Sequence, residues 1–200
     1  MNEIVGILAL QGAYQKHAES LSRLGVESRL IRKPSELNDC SALILPGGES
    51  TTISLLIQEY GLYKPIKSFA ENFPVMGVCA GMILMANEVD DIRVTPLGLI
   101  SFKATRNFYG RQVHSFTADV KLSFDNITFK APFIRAPGIK ELSPEVEALA
   151  TYNDKVVMIG AGKHIALSFH PELTDDTRIH NYWISNFKQA RSPAKIQQKQ

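Results

Sequence analysis

Pro74-Val75-Met76-Gly77-Val78-Cys79-Ala80-Gly81-Met82-Ile83-Leu84-Met85-Ala86 is the stretch on which the fold turns. Apolar residues lead up to a cysteine set between two glycines and continue after it, which predicts a short buried strand turning sharply into a helix at Cys79. Such an elbow lifts the side chain clear of the backbone, and the glycines let strand and helix close around it. The helix N-terminus adds unpaired N–H groups and a positive dipole end, both of which favour thiolate over thiol. Taken alone, Cys79 also fits a small buried hydrophobe, the ordinary fate of a free cysteine.

Upstream of the elbow the chain alternates. Ile4 to Leu10 is a nearly unbroken apolar run, as a strand buried on both faces requires. Tyr14, Ala18, Leu21 and Leu24 recur at helical spacing and Gly25 ends that helix. Strands are expected at Glu27–Ile31 and Ala42–Leu45. Pro46-Gly47-Gly48 breaks the chain, Ser50 or Thr51 is placed to cap a helix whose face is Ile53 to Ile57, and Pro65 to Phe73 reads as a further helix. This β-α-β-α order implies a parallel sheet covered by helices on both sides. From about Leu99 the texture changes to short strands at 99–106, 112–122, 127–135, 146–152 and 156–169. Asp125-Asn126, Ala136-Pro137-Gly138 and Asn153-Asp154 punctuate them as turns. A closing amphipathic helix is expected from about Asp175 to Gln189, with acids in its first turn and Ile179, Tyr182, Trp183 and Phe187 facing inward. The expectation is one α/β domain over 1–190 and a polar, frayed tail over 191–200.

Composition bounds the function. Two hundred residues, 44% apolar and 21% charged, describe an ordinary globular chain with a sizeable core. The formal charge of +2 and scattered Lys and Arg give no basic stripe for nucleic acid. No apolar run reaches membrane-spanning length, and Met1-Asn2-Glu3 lacks the basic start of a signal peptide. Cys40 and Cys79 are the only cysteines, which fits a reducing cytoplasm, and no Cys/His cluster has metal-ligand spacing.

A cysteine nucleophile needs a base and a group that orients the base. Of five histidines, His17 and His180 fall in the first and last helices, where surface or packing roles are expected; His114 falls in a strand-like segment and His164 in a turn. His170 follows the apolar strand Ile165–Phe169, at the carboxyl edge where open α/β sheets place their sites. Pro171 stiffens the turn, and Glu172 is positioned to bend back onto the imidazole. By itself His-Pro-Glu also fits a turn with a helix-capping acid; with the elbow it points to a Cys79–His170–Glu172 triad. Pro46-Gly47-Gly48-Glu49-Ser50 fits an oxyanion-binding loop, and equally a plain strand-to-helix turn.

Gly-X-Cys-X-Gly, Pro-Gly-Gly and His-Pro-Glu, in this order, resemble the class I (triad) glutamine amidotransferases. Further blocks resemble one branch, the glutaminase subunits of pyridoxal 5′-phosphate synthases: Leu8 to Ala13, Pro46 to Thr52, Arg106-Asn107 with Gly110-Arg111-Gln112, Phe133 to Pro137, and Ser168 to Thr174. The resemblance spans residue 4 to about 188. It departs at Phe108, where relatives often have a small residue, and at Gly160–His164. It implies a three-layer, flavodoxin-like fold with a mixed, mostly parallel central sheet and added antiparallel strands in the second half.

The implied reaction is hydrolysis of L-glutamine to glutamate and ammonia through a γ-glutamyl thioester on Cys79. By the same resemblance Gly48 and Ala80 form the oxyanion hole, and Gly47, Gly48, Glu49, Arg106, Ile134 and Arg135 contact glutamine. An arginine suits the α-carboxylate and Glu49 the α-ammonium, although Arg106 and Arg135 read equally well as surface cations. Gln11 is a candidate for completing the site on docking. The implied partner is a (β/α)8-barrel synthase subunit in a hetero-oligomer, with no cofactor, no metal, no nucleic acid and no membrane. Two other classes stay open on the residues. One is a glutaminase subunit serving another synthesis, of the imidazole glycerol phosphate or anthranilate type, and the other a non-hydrolytic elbow-cysteine sensor or chaperone.

Overall fold

The computed structural model describes residues 3–106, 108 and 115–191, with side chains through 186. Its first half runs β1 (Ile4–Leu8), α1 (Tyr14–Arg23), β2 (Glu27–Ile31), β3 (Cys40–Leu45), α2 (Ser50–Glu59), α3 (Tyr63–Asn72), β4 (Val75–Val78) and α4 (Ala80–Met85). The second half continues with β5 (Ala86–Val89), β6 (Ile100–Thr105), β7 (Ser115–Leu122), β8 (Asp125–Ile134), β9 (Gly138–Lys140), β10 (Glu147–Tyr152), β11 (Lys155–Ala161), β12 (His164–Leu167) and α5 (Arg178–Arg191).

Nine strands form one sheet in the order β2-β1-β3-β4-β12-β11-β10-β7-β8. The pairs from β2 to β12 are parallel, as the alternating first half requires, and those from β12 to β8 are antiparallel. Both faces are buried along the central strands β1, β3 and β4. Along β3, Leu43 and Leu45 enter the cluster that holds Ile53 and Ile57 of α2 and Ile66 of α3. Ala42 and Ile44 point to the opposite face, where Leu21 of α1 and Ile179 and Trp183 of α5 close the core. A small sheet, β5-β6-β9, covers the first of these faces. The three-layer fold predicted from the elbow and the alternation is the observed one.

The differences are local. The strand expected over 156–169 is a hairpin, β11 and β12, turning at Gly162 with φ +56°. Strands β5 and β9 were not foreseen, and Gly138, read as part of a turn, opens β9. The cap of α2 is neither Ser50 nor Thr51: Glu49 holds that position, and its carboxylate accepts from the amides of Thr51 and Thr52. The last helix begins at Arg178, so Asp175 and Asp176 precede it, and Asp176 Oδ1 accepts from the Arg178 amide at 3.0 Å. His164 opens β12 rather than lying in a turn, and its Nδ1 accepts from the Val75 amide. Expectations for Asn107, Gly110–Gln112, His114, the Phe187 side chain and 192–200 lie outside the described residues.

Candidate active site

The elbow forms as the glycine spacing predicts. Cys79 is the residue between β4 and α4, with φ +51° and ψ −100°, a backbone state that non-glycine residues seldom occupy. Its amide donates to Leu167 O of β12 at 2.8 Å, and its Sγ lies 3.8 Å from Ile134 O. Gly81 is needed because α4 is pressed onto β3: a Cβ there would sit 1.9 Å from Leu45 O.

Strand pairing then delivers the base. β12 runs parallel to β4 with Ile165 opposite Met76 and Leu167 opposite Val78, so the chain leaving β12 emerges beside Cys79. The His170 amide donates to Pro132 O at 2.8 Å, and a single turn of 3-10 helix over Pro171–Leu173 folds Glu172 back onto the imidazole. His170 Nδ1 donates to Glu172 Oε1 at 2.7 Å, and both residues are buried. Burial disfavours the imidazolium, but Cys79 and Glu172 outweigh it and push His170 up to about 10. The Glu172 carboxyl is held below its usual range: burial opposes ionisation, and His17 and His170 overcome it.

The loop after β3 lies against this pair. A Cβ on Gly47 would stand 2.4 Å from His170 Cε1, so Gly47 backbone packs directly on the base. Two contacts from the β1–α1 turn hold the loop: the Ala13 amide donates to Gly47 O at 2.9 Å, and the Glu49 amide donates to Gln11 Oε1 at 2.9 Å. Beyond capping α2, Glu49 accepts from Arg106 at 3.1 Å, and Arg106 also pairs with Asp91. Burial raises the Glu49 carboxyl, yet hydrogen bonds from Thr51 and Thr52 bring it down to about 2.

These groups line one cleft of about 520 Å³. Gln11, Gly47, Gly48, Glu49, Cys79, Ala80, Arg106, Ile134, Arg135 and His170 all open onto it, and Glu172 stands behind His170. The residues proposed from the sequence as catalytic, oxyanion-binding, glutamine-binding or docking-linked are therefore brought to one place. Arg135 takes φ +42° there, next to the half-exposed Ile134. Phe108, one of the two departures, packs over Gly138, whose Cβ would meet its ring at 2.3 Å, and Lys155 Nζ lies 4.8 Å from the ring centre.

Sequence reading missed three neighbours of the site. Asp91 anchors Arg106. His17 and His180, expected to be surface or packing residues, are wholly buried behind Glu172. A signal was present for His17, which falls on the same helical face as Tyr14 and Leu21.

Comparison with known proteins identifies the family. The model of the SNO glutamine amidotransferase family matches residues 7–189. A Pyrococcus furiosus protein named pyridoxal 5′-phosphate synthase subunit PdxT is 49% identical over 192 residues, covering 90% of this chain and 96% of its own. The protein of that name from Moorella thermoacetica is 46% identical over 182 residues, covering 90% and 97%. A solved structure described as a glutamine amidotransferase superposes with a TM-score of 0.87 at 42% identity, over 91% of this chain and 97% of that one. Among the described residues, no helix is long and apolar enough to cross a membrane.

Proposed function

Because the chain belongs to the SNO glutamine amidotransferase family, we propose that it is the glutaminase subunit of a pyridoxal 5′-phosphate synthase, hydrolysing L-glutamine and passing ammonia to a synthase subunit. The observation that carries this reading is the buried His170–Glu172 pair set beside an elbow cysteine in a cleft lined by paired carboxylate and guanidinium groups.

The Cys79 thiolate attacks the side-chain amide carbon of glutamine. The tetrahedral oxyanion is taken by the amides of Gly48 and Ala80, the latter at the first position of α4 where it has no helical acceptor. His170, as imidazolium, protonates the amide nitrogen of the adduct; the C–N bond breaks, ammonia leaves, and a γ-glutamyl thioester remains on Cys79. Neutral His170 then draws a proton from water, which attacks the thioester, while Glu172 fixes the ring and keeps its proton on Nδ1. Glutamine's α-carboxylate and α-ammonium find complementary charge in Arg106, Arg135 and Glu49, with Gly47 and Ile134 completing the wall.

Ammonia released to water is mostly ammonium, which is not a nucleophile, so release is useful only into an acceptor enzyme. The partner that fits is a (β/α)8-barrel synthase subunit in a hetero-oligomer, in the cytoplasm. Gln11 supports such coupling because its side chain holds the Glu49 amide, and with it the oxyanion loop. Coupled activity undiminished in Gln11→Ala would remove Gln11 from that role.

The deciding experiment mixes the chain with candidate synthase subunits and follows glutamine-dependent pyridoxal phosphate formation. Wild type should support it and Cys79→Ala should not, while added ammonium salts should restore synthesis to the mutant mixture. Synthesis by Cys79→Ala from glutamine alone would overturn the reading.

A further inference from the structure

Behind the triad lies a second, wholly buried polar line that the mechanism above leaves unused. His17 Nε2 stands 3.7 Å from Glu172 Oε2, the carboxylate oxygen turned away from His170, and His17 Nδ1 lies 3.0 Å from His180 Nε2. His17 and His180 have no exposed surface, and Glu172 has 1%. Neither His17 Nε2 nor Glu172 Oε2 has a hydrogen-bond partner among the described residues. A gap of 3.7 Å admits no water, and closing it to an ordinary N–H···O distance of about 2.9 Å needs a shift of roughly 0.8 Å.

We propose that His17, backed by His180, is a positioning residue: it extends the Cys79–His170–Glu172 line by one step and holds the second oxygen of Glu172 with a neutral Nε2–H. This inference rests on the triad reading. The contacts choose the tautomers. If His17 carried its proton on Nδ1 and donated to His180, the lone pair on its Nε2 would face the carboxylate in a dry interior, a repulsion nothing nearby relieves. With the proton on Nε2, His17 faces the carboxylate as a donor, and its Nδ1 accepts from His180 Nε2–H. His180 Nδ1 is then a bare lone pair, in keeping with its lack of a partner.

Both rings are held neutral. Burial lowers His17 against the pull of Glu172, with His170 adding to the lowering. Burial, then His17, brings His180 down to about 3, with Glu172 opposing and Arg23 assisting. A carboxylate gripped at both oxygens stays ionised and keeps its plane, which is what the base needs while it gains and loses a proton.

Nitrogen-15 NMR of histidine-labelled intact chain tests the tautomers directly. Both His17 and His180, identified by the signals lost in His17→Phe and His180→Phe, should be mainly neutral Nε2–H forms at about pH 6.5, where an ordinary histidine is half charged. An Nδ1–H tautomer or an imidazolium at His17 overturns the proposal.

Kinetics with the synthase subunit present supplies the second arm. His17→Leu, which fills space without a donor, should lower kcat roughly tenfold, the loss of one hydrogen bond to a charged group. KM for glutamine should stay within about twofold, because His17 does not touch substrate. The acid limb of the kcat profile should move to higher pH, because Glu172 then takes up a proton more readily. His17→Gln, which returns an N–H near the same place, should restore most of the rate and the profile. Equal losses in both variants with an unmoved profile would mean packing alone and would overturn the proposal. If Cys79→Ala still hydrolyses glutamine, the triad reading fails and this inference with it. If Cys79→Ala is inactive and His17→Leu behaves as wild type, only this inference fails.

Discussion

Gly47 and His170 are in backbone-to-ring contact: a Cβ on the glycine would lie 2.4 Å from Cε1 of the imidazole and 3.5 Å from Cβ of Cys79. The loop and the base therefore share a surface with no space for a methyl group. Gly47→Ala should displace His170 and lower kcat/KM for glutamine by about a hundredfold or more, since small misplacements of a catalytic group are costly. Hydrolysis by Gly47→Ala near the wild-type rate would show that the loop moves away in the working enzyme.

Gly81→Ala should fail differently. Its Cβ would meet backbone, Leu45 O at 1.9 Å, so α4 must back away from β3. A loss of about 3 kcal/mol or more is expected, among the larger values for single substitutions, read as a reduced denaturant midpoint. Here stability and activity should fall together.

The elevated His170 depends on its neighbours, Cys79 among them. In Cys79→Ala the midpoint of the His170 ring, followed by NMR, should fall well below about 10, leaving Glu172 alone to oppose burial. A folded-state value above the ordinary 6.5 stabilises below pH 6.5, and that contribution is lost as pH rises through about 10. Wild type should therefore lose stability over this alkaline window more steeply than Cys79→Ala. An unchanged His170 midpoint in the mutant would contradict the pairing.

Glu49 gives the opposite sign. Its carboxyl is brought from 4.5 to about 2 in the fold. The stability it contributes is full above pH 4.5 and lost as pH falls toward 2. Its side chain is 42% exposed, so screening keeps the effect small. Glu49→Gln should flatten the acid limb of the stability curve and raise KM for glutamine by removing one of the two carboxylates paired with Arg106. Thermal unfolding between pH 2 and pH 5, together with steady-state kinetics, checks both expectations.

Arg178 is a structural counterpart. It pairs with Asp176 and Asp125 and donates to Ile127 O and Thr128 O, tying the start of α5 to the β7–β8 hairpin. With the side chain 30% exposed, Arg178→Ala should cost about 1–2 kcal/mol, or roughly 3–6 °C in Tm for a chain of this size. Glutamine hydrolysis at 25 °C should be unchanged.

What could be read from the sequence was what local chemistry writes locally. Gly77, Cys79 and Gly81 announce the elbow because the turn permits nothing larger at its flanks, and Pro171 with Glu172 announces the orienting acid because two residues suffice to bring it round. Glu49 escaped as a cap because Ser50 and Thr51 are better cap residues by habit, and the choice was made by where β3 ends. The β11–β12 hairpin escaped because apolar residues continue on both sides of Gly162, so periodicity alone cannot show the reversal. His17 and His180 lie 163 positions apart, and only the packing of α1 against α5 buries one against the other.

The pairing of β12 with β4 sets more than the order of strands. His170 and Glu172 follow β12 directly, so their place beside the nucleophile depends on the register that sets Leu167 opposite Val78. Deleting one residue from β12 would preserve the ladder yet swap which side chains look up and which look down. The base would then be carried to the wrong side of the sheet while hydrogen bonding between the strands survived. Catalytic competence in this protein is therefore a matter of parity, fixed by whether the count of residues along one short strand is odd or even.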